Sequence, residues 1–191
     1  MGGLAIGELN NVPYKSDPRA EQWVFDSIDV AKKLDCSVIL LAFFGKGDLK
    51  NDVDGTRETI RRLKKVVPKA EDNGIILGIE SWLSAEEHMH ILDSVNSPNL
   101  KIYYDVANSN HMGYNIFDEI RMLGKETICE FHAKENGHLL GQGKIDFREV
   151  HKAIVDIGYE GWIQIEGAVP GNAEMFDSYR SNNRYLRSIF L

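Results

Sequence analysis

The sequence predicts an α/β fold, a (β/α)8 TIM barrel present here as an incomplete barrel of six βα units. Three observations carry this expectation. Strand-like and helix-like segments alternate along the whole chain without a linker, low-complexity stretch or composition break, so residues 1–191 read as a single domain. The strand-like runs are near-continuously apolar rather than alternating, as in parallel strands buried on both faces. The last four of them each end in a residue type that binds metal ions.

Taken in order, the expected strands are Leu4 to Leu9, Ser37 to Phe44, Ile75 to Glu80, Lys101 to Asp105, Ile128 to His132 and Trp162 to Glu166. Between the first two, Trp23, Val24, Ile28, Ala31 and Leu34 mark one face of a helix from Arg19 to Leu34, opened by Ser16-Asp17-Pro18. Ile60, Leu63 and Val67 mark a second helix over Thr56 to Asp72, with Pro68 expected to kink or end its main body and Asn73-Gly74 to stop it. Ser84 with Glu87 three residues on is a capping box for a helix reaching about Val95. Ile116 to Leu123 should stop at Gly124, and Asp146 to Ile157 at Gly158. A final helix spans about Ala173 to Phe190.

Composition excludes several partner classes. The 191 residues are 43% hydrophobic and 27% charged, and 22 Lys+Arg against 29 Asp+Glu leave a net charge of −7, so no basic surplus draws the chain to nucleic acid. There is no apolar run of membrane-spanning length, and Met1-Gly2-Gly3 leads straight into a strand-like segment, so neither membrane association nor a leader is expected and the chain reads as cytoplasmic. Cys36 and Cys129 form no CxxC pair and read as small core fillers in a reducing compartment.

Six consecutive strand–helix pairs permit a doubly wound open sheet or a barrel. The strand ends separate the two. GIILGI runs to Glu80, KIYY to Asp105, ICEF to His132 and WIQI to Glu166, each about one βα repeat after the last. Strand ends converge at the C-terminal face of a barrel, where active sites are built, whereas in an open sheet they would be strung along an edge. Any one of these residues could simply cap a buried strand as it surfaces; Asp, Glu and His fill 35 of 191 positions, and the matched set outweighs its members. Three carboxylates and an imidazole form a hard, oxygen-rich donor set that suits Mn²⁺, Mg²⁺ or Co²⁺ better than a structural zinc.

Five segments add a resemblance: Gly78-Ile79-Glu80-Ser81, Tyr104-Asp105-Val106-Ala107-Asn108, Phe131-His132-Ala133-Lys134-Glu135, Gly141 to Phe147, and Gly158 to Glu166. Together they resemble the xylose isomerase-like TIM-barrel superfamily, the sugar phosphate isomerase/epimerase and endonuclease IV group, nearest its ketose 3-epimerase-like branch. The resemblance covers the chain from Leu4 to the last helix. It implies one divalent metal ion, Mn²⁺ first, with Mg²⁺, Co²⁺ or Zn²⁺ as alternatives, held by Glu80, Asp105, His132 and Glu166. It also implies that Glu80 and Glu166 act as the acid/base pair of a sugar or sugar phosphate isomerase or epimerase, working through a metal-stabilised enediolate.

Further positions match or depart from that pattern. Glu86, six residues after Glu80, matches a substrate-contacting glutamate, or is a carboxylate favoured at a helix N-terminus. Asn108 stands where the epimerases carry a histidine, with His111 in the same loop as a substitute, and His138 stands where an arginine often grips substrate. Lys134 could neutralise developing charge or pair with Glu135. Trp82 could form an apolar wall for the sugar, while Trp23 and Trp162 read as core or strand packing. His88, His90 and His151 read as surface or partly buried residues without a role. The Gly141-Gln142-Gly143-Lys144 turn reads as the launch of a helix capped by Asp146 rather than as a phosphate cradle.

Endonuclease IV chemistry is disfavoured, because its three-metal cluster needs histidines that this chain lacks. An inosose-type dehydratase on the same metal site, or a truncated non-catalytic sugar-binding barrel, are the competing readings. A complete barrel of this type is typically ~250 residues. The resemblance matches Leu4 to Leu9 with the third strand and Trp162 to Glu166 with the eighth, so the first two βα units are expected to be missing. Exposed terminal strands would then invite homo-oligomer formation or aggregation.

Overall fold

The computed structural model describes residues 3–191; Met1 and Gly2, on which the expected absence of a leader partly rests, lie outside the described residues. Six parallel strands form one sheet in the order of the sequence, β1 (Leu4–Ala5), β2 (Val38–Phe43), β3 (Ile76–Ser81), β4 (Leu100–Asp105), β5 (Ile128–Ala133) and β6 (Ile163–Ile165). Seven α-helices lie between and after them among the described residues: α1 (Pro18–Lys33), α2 (Val53–Asn73), α3 (Ala85–Val95), α4 (Val106–His111), α5 (Ile116–Thr127), α6 (Phe147–Asp156) and α7 (Met175–Phe190). Six strands in sequence order with alternating helices are the topology of an incomplete TIM barrel. The chain divides into two compact units. One runs to Tyr103 and takes in Glu126–Cys129; the other comprises Tyr104–Lys125 and Glu130–Leu191.

The first unit is organised by β2, whose six residues Val-Ile-Leu-Leu-Ala-Phe are all buried. It pairs with β3 from Val38↔Ile76 to Phe43↔Ser81, and β3 pairs with β4 from Leu77↔Leu100 to Ile79↔Ile102. Val38, Leu40, Ala42 and Tyr103 make a core cluster with Phe44, Ile76 and Cys129 against it. Gly78 is required here: a Cβ would lie 2.8 Å from Cys129 Sγ and 3.3 Å from the Tyr103 ring. Neither cysteine is in a disulfide; Cys36 is buried and Cys129 half-buried, as core fillers should be.

Helix signals were largely readable. Asp17 caps α1 through the Arg19 amide with Pro18 at its start, and Ser84 and Glu87 form the reciprocal capping box of α3. Pro68 does not end α2, which continues to Asn73 before Gly74 stops it at φ 65°. Pro68 lies on the exposed side of that helix, where water can satisfy the carbonyl that loses its partner. The first strand is shorter than expected: only Leu4–Ala5 pair, and Gly7–Asn10 turn into a 3-10 helix.

In the second unit β5 pairs with β6 from Phe131↔Ile163 to Ala133↔Ile165. Phe131 sits edge-on between Tyr104 at 5.8 Å and Tyr159 at 4.9 Å, and Tyr104 donates to the buried Glu119 carboxylate at 2.8 Å. Asp146 caps α6 through the amides of Arg148 and Glu149, as expected. Helix α5 breaks at Gly124, whose φ of 69° and ψ of 168° are not helical, where a stop was expected. Trp162 departs from its expected packing role: it is 67% exposed beside β6, which ends the sheet order and has a strand neighbour on one side among the described residues. No helix of the described residues is long and apolar enough to cross a membrane.

His88 is a second correction, because it is buried rather than superficial. Its ring nitrogens meet Ser81 Oγ at 2.9 Å and the Ser84 carbonyl at 3.0 Å, fastening α3 to the end of β3. Burial pushes its pKa down to about 4, so the folded chain keeps it neutral where the unfolded chain takes up a proton near pH 6.5. The unfolded state therefore binds more protons between those values, and stability is present above pH 6.5 and lost as pH falls toward 4. Urea unfolding at pH 7.5 and pH 5 should show a loss on the order of 1–2 kcal/mol attributable to this residue. His88→Gln, less stable at pH 7.5, should lose correspondingly less; an equal loss in both chains would refute the assignment.

Candidate metal centre

Asp105 closes β4 and opens α4. Its Oδ1 accepts the amides of Ala107 at 2.7 Å and Asn108 at 2.9 Å, so one carboxylate oxygen is committed to capping the helix and fixes where the other points. Both Asp105 and His132 on β5 are buried. Glu166 follows β6 directly; its amide donates to the Ala133 carbonyl at 3.1 Å, which carries the β5–β6 ladder one residue further and sets its position beside His132.

These three side chains converge. His132 Nδ1 lies 3.5 Å from Glu166 Oε2 and 3.9 Å from Asp105 Oδ2. One ligand-type atom from each lies within 4.8 Å of the others. Lys134, two residues after His132, places Nζ 2.9 Å from Glu166 Oε2 and 3.5 Å from Asp105 Oδ2. Of the two roles that the sequence leaves open for Lys134, neutralising charge at the site or pairing with Glu135, the geometry sets it against Glu166 and Asp105. The alternation along β5 holds the signal, since His132 and Lys134 share a strand-end face. Burial works to raise the Glu166 carboxyl, but the hydrogen bond from Lys134 and the nearby His132 and Lys134 outweigh it, and its pKa lies below the usual carboxylate value.

Glu80 belongs to the first unit. It is the fifth residue of β3, buried, and level with Ala42 of β2. Trp82 follows two residues later, its ring packed edge-on against Phe44 at 5.3 Å, which places an aromatic pair just beyond the ends of β2 and β3. Glu86 is exposed in the first turn of α3, where it lines a groove of about 780 Å³ with Leu49, Thr56, Ile60 and Leu83. Asn108 is buried on α4 with its amide on Asp105. His111 is exposed at the end of α4, and His138 is exposed in the loop after β5.

The glycine turn is built around a carboxylate. Glu135 is buried, and its Oε1 accepts the Lys144 amide at 3.0 Å. A Cβ on Gly143 would meet the Glu135 carboxyl at 2.2 Å, so the glycine is there to let the turn lie on it. Burial raises the Glu135 pKa, partly offset by the backbone amides of Lys144 and Ile145. A turn amide already engaged by a carboxylate is a poor phosphate cradle, in keeping with the reading of this segment as a helix launch.

The donor chemistry fits a divalent ion. Two carboxylates and an imidazole gathered at strand ends, Asp105 and His132 buried and Glu166 half-buried, offer hard oxygen ligands with one nitrogen. Comparison with known proteins agrees with this fold. A D-psicose 3-epimerase of Enterocloster bolteae is 28% identical over 123 residues, covering 59% of this chain and 40% of that protein. An uncharacterized protein of Methanocaldococcus jannaschii is 32% identical over 120 residues, covering 54% of this chain and 41% of that protein. Each match thus spans about two-fifths of the curated relative's length. The solved structure of an L-ribulose 3-epimerase superposes with a TM-score of 0.86 at 17% identity, over 98% of this chain and 74% of that one. The sequence profile described as xylose isomerase-like TIM barrel matches residues 11–189, and the chain belongs to that family.

Proposed function

We propose that this chain serves a divalent-metal-dependent sugar isomerase or epimerase acting on a ketose. The observation that carries the proposal is the convergence of Asp105, His132 and Glu166, with Lys134 among them, at the C-terminal ends of parallel strands. Glu80 is proposed as the fourth member of this group: a buried carboxylate at the end of β3, on the strand that pairs with β4. The similar epimerases support the reaction class.

A bound divalent ion, Mn²⁺ first, with Mg²⁺, Co²⁺ or Zn²⁺ as alternatives, would supply Lewis-acid polarisation of a ketose carbonyl and its adjacent hydroxyl. The rest falls to the chain. Asp105 and His132 serve as fixed ligands, since one oxygen of Asp105 is tied to α4 and His132 lies on a buried strand. Glu80 and Glu166 are assigned the proton transfers, one removing the proton next to the carbonyl and the other returning it. Lys134 keeps Glu166 ionised and therefore ready to accept a proton. Trp82 with Phe44 offers an apolar surface to the sugar carbons. Glu86, Asn108, His111 and His138 are proposed to meet its hydroxyls.

Titrating the purified chain with Mn²⁺ by calorimetry tests the ligand set. Asp105→Asn and His132→Ala are each expected to weaken binding by about 10- to 100-fold; wild-type affinity in either variant would remove that residue from the site. Exchange of substrate C–H with deuterated solvent, followed by NMR across a ketose panel, tests the reaction. Glu80→Gln and Glu166→Gln should each slow exchange by about 10²-fold or more while sugar still binds. Bound Mn²⁺ with no exchange on any ketose would sink the enzyme reading and leave a sugar-binding barrel, and dehydration in place of exchange would mark a dehydratase.

A further inference from the structure

The last helix buries a polar side chain completely. Asn182 is 0% exposed and shares one stripe of α7 with Ser178 and Leu186, four residues to either side. Its amide bridges two loops. Oδ1 accepts the Leu140 backbone N–H at 2.9 Å, and Nδ2 donates to the Ala168 carbonyl at 2.9 Å. Leu140 lies in the loop between β5 and α6, which also carries Glu135 and the glycine turn; Ala168 lies two residues beyond Glu166.

The backbone at the second contact is strained. Gly167 has a φ of 62° and Ala168 a φ of 51°, two consecutive residues in the left-handed region. Glycine enters that region freely, but alanine stays there only where its surroundings hold it. Ala168 is buried at 4% exposure, and the Asn182 donor fixes its carbonyl. This turn immediately follows Glu166, whose amide is anchored to Ala133 and whose carboxylate meets His132 and Lys134. Glu166 is thus held from the strand side by a ladder bond and from the loop side by Asn182.

We propose that Asn182 is a positioning residue of the metal centre: its amide holds the Gly167–Ala168 turn in its left-handed conformation and so fixes the Glu166 carboxylate, while its oxygen ties the loop after β5 to the same helix. The inference rests on the metal-site reading above for its consequence, though the clamp itself is a matter of the two hydrogen bonds. A buried asparagine that merely satisfied the core would affect stability without affecting the ligand.

Asn182→Asp keeps the acceptor for Leu140 and replaces the donor to Ala168 by an oxygen. Mn²⁺ alone, titrated into the full chain, should bind about tenfold more weakly to this variant than to wild type. Amide hydrogen exchange at residues 167–169 should quicken. Adding Ala168→Gly should return Mn²⁺ affinity to within about threefold of the Ala168→Gly single variant, because glycine enters the left-handed region without the Cβ penalty that the Asn182 bond otherwise has to offset. If Asn182→Asp alone is too unstable to purify, the same recovery is read from the double variant. Wild-type Mn²⁺ affinity in Asn182→Asp, or a loss that Ala168→Gly does not restore, would overturn the proposal. If the wild-type chain binds no Mn²⁺, the metal-site reading fails, and exchange at 167–169 then decides the clamp by itself: unchanged exchange in Asn182→Asp overturns it.

Discussion

A strand buried on both faces leaves a charged side chain almost nowhere to stand. In β2 all six positions are apolar and shielded, and its sequence carries no chemistry at all. A charge placed mid-strand must bring its own partner, as Glu130 of β5 does with Gln164 of β6, whose side-chain amide donates to it at 2.5 Å. At the strand ends the constraint lifts, because solvent, loop amides and other side chains become available. Asp105 and His132 occupy such positions on β4 and β5, and Glu166 follows the last residue of β6. The location of the candidate centre is therefore a consequence of how parallel sheets are buried, before any consideration of catalysis.

Bringing carboxylates together at a buried point is unfavourable unless positive charge is supplied there. Within the second unit Lys134 supplies part of it, lying against both Asp105 and Glu166. Its contact with Glu166 explains why a carboxyl whose burial alone would raise its pKa instead lies below the usual value. Two carboxylates surround one ammonium, and this excess of hard oxygen donors is what a divalent cation would answer. The same group that satisfies the apo cluster also keeps Glu166 ionised, so the electrostatic arrangement that stabilises the fold locally is the one the proposed proton transfer requires.

The sequence was most readable where a residue's role is local. Asp17, Ser84 and Asp146 announced their helices because capping involves only three or four consecutive residues, and Gly74 and Gly124 announced breaks because only glycine takes those backbone angles easily. The strand-end ligand types were readable because their spacing repeats with the βα unit. What was hidden depends on how the elements pack against one another. His88 reads as surface or partly buried until α3 packs on the end of β3 and its ring meets Ser81, and Trp162 reads as core or strand packing because its flanking residues are strand-like, yet it is 67% exposed. Pro68 reads as a kink or an end of the main body of α2, yet the helix continues to Asn73, because on an exposed face solvent can answer the lost hydrogen bond. Lys134 could be seen near the site but not assigned, since Glu135 is adjacent in sequence and Glu166 is not.

The backbone around the candidate centre is largely spent on internal bonds. The amides of Ala107 and Asn108 face Asp105, that of Lys144 faces Glu135, and that of Leu140 faces Asn182. Backbone N–H groups are the usual means by which loops grip phosphate, and these are taken by side-chain oxygens, two of the three side chains being carboxylates that would repel an anion. The polar groups of these loops are thus satisfied internally, which leaves none of these four backbone N–H groups to grip a phosphate.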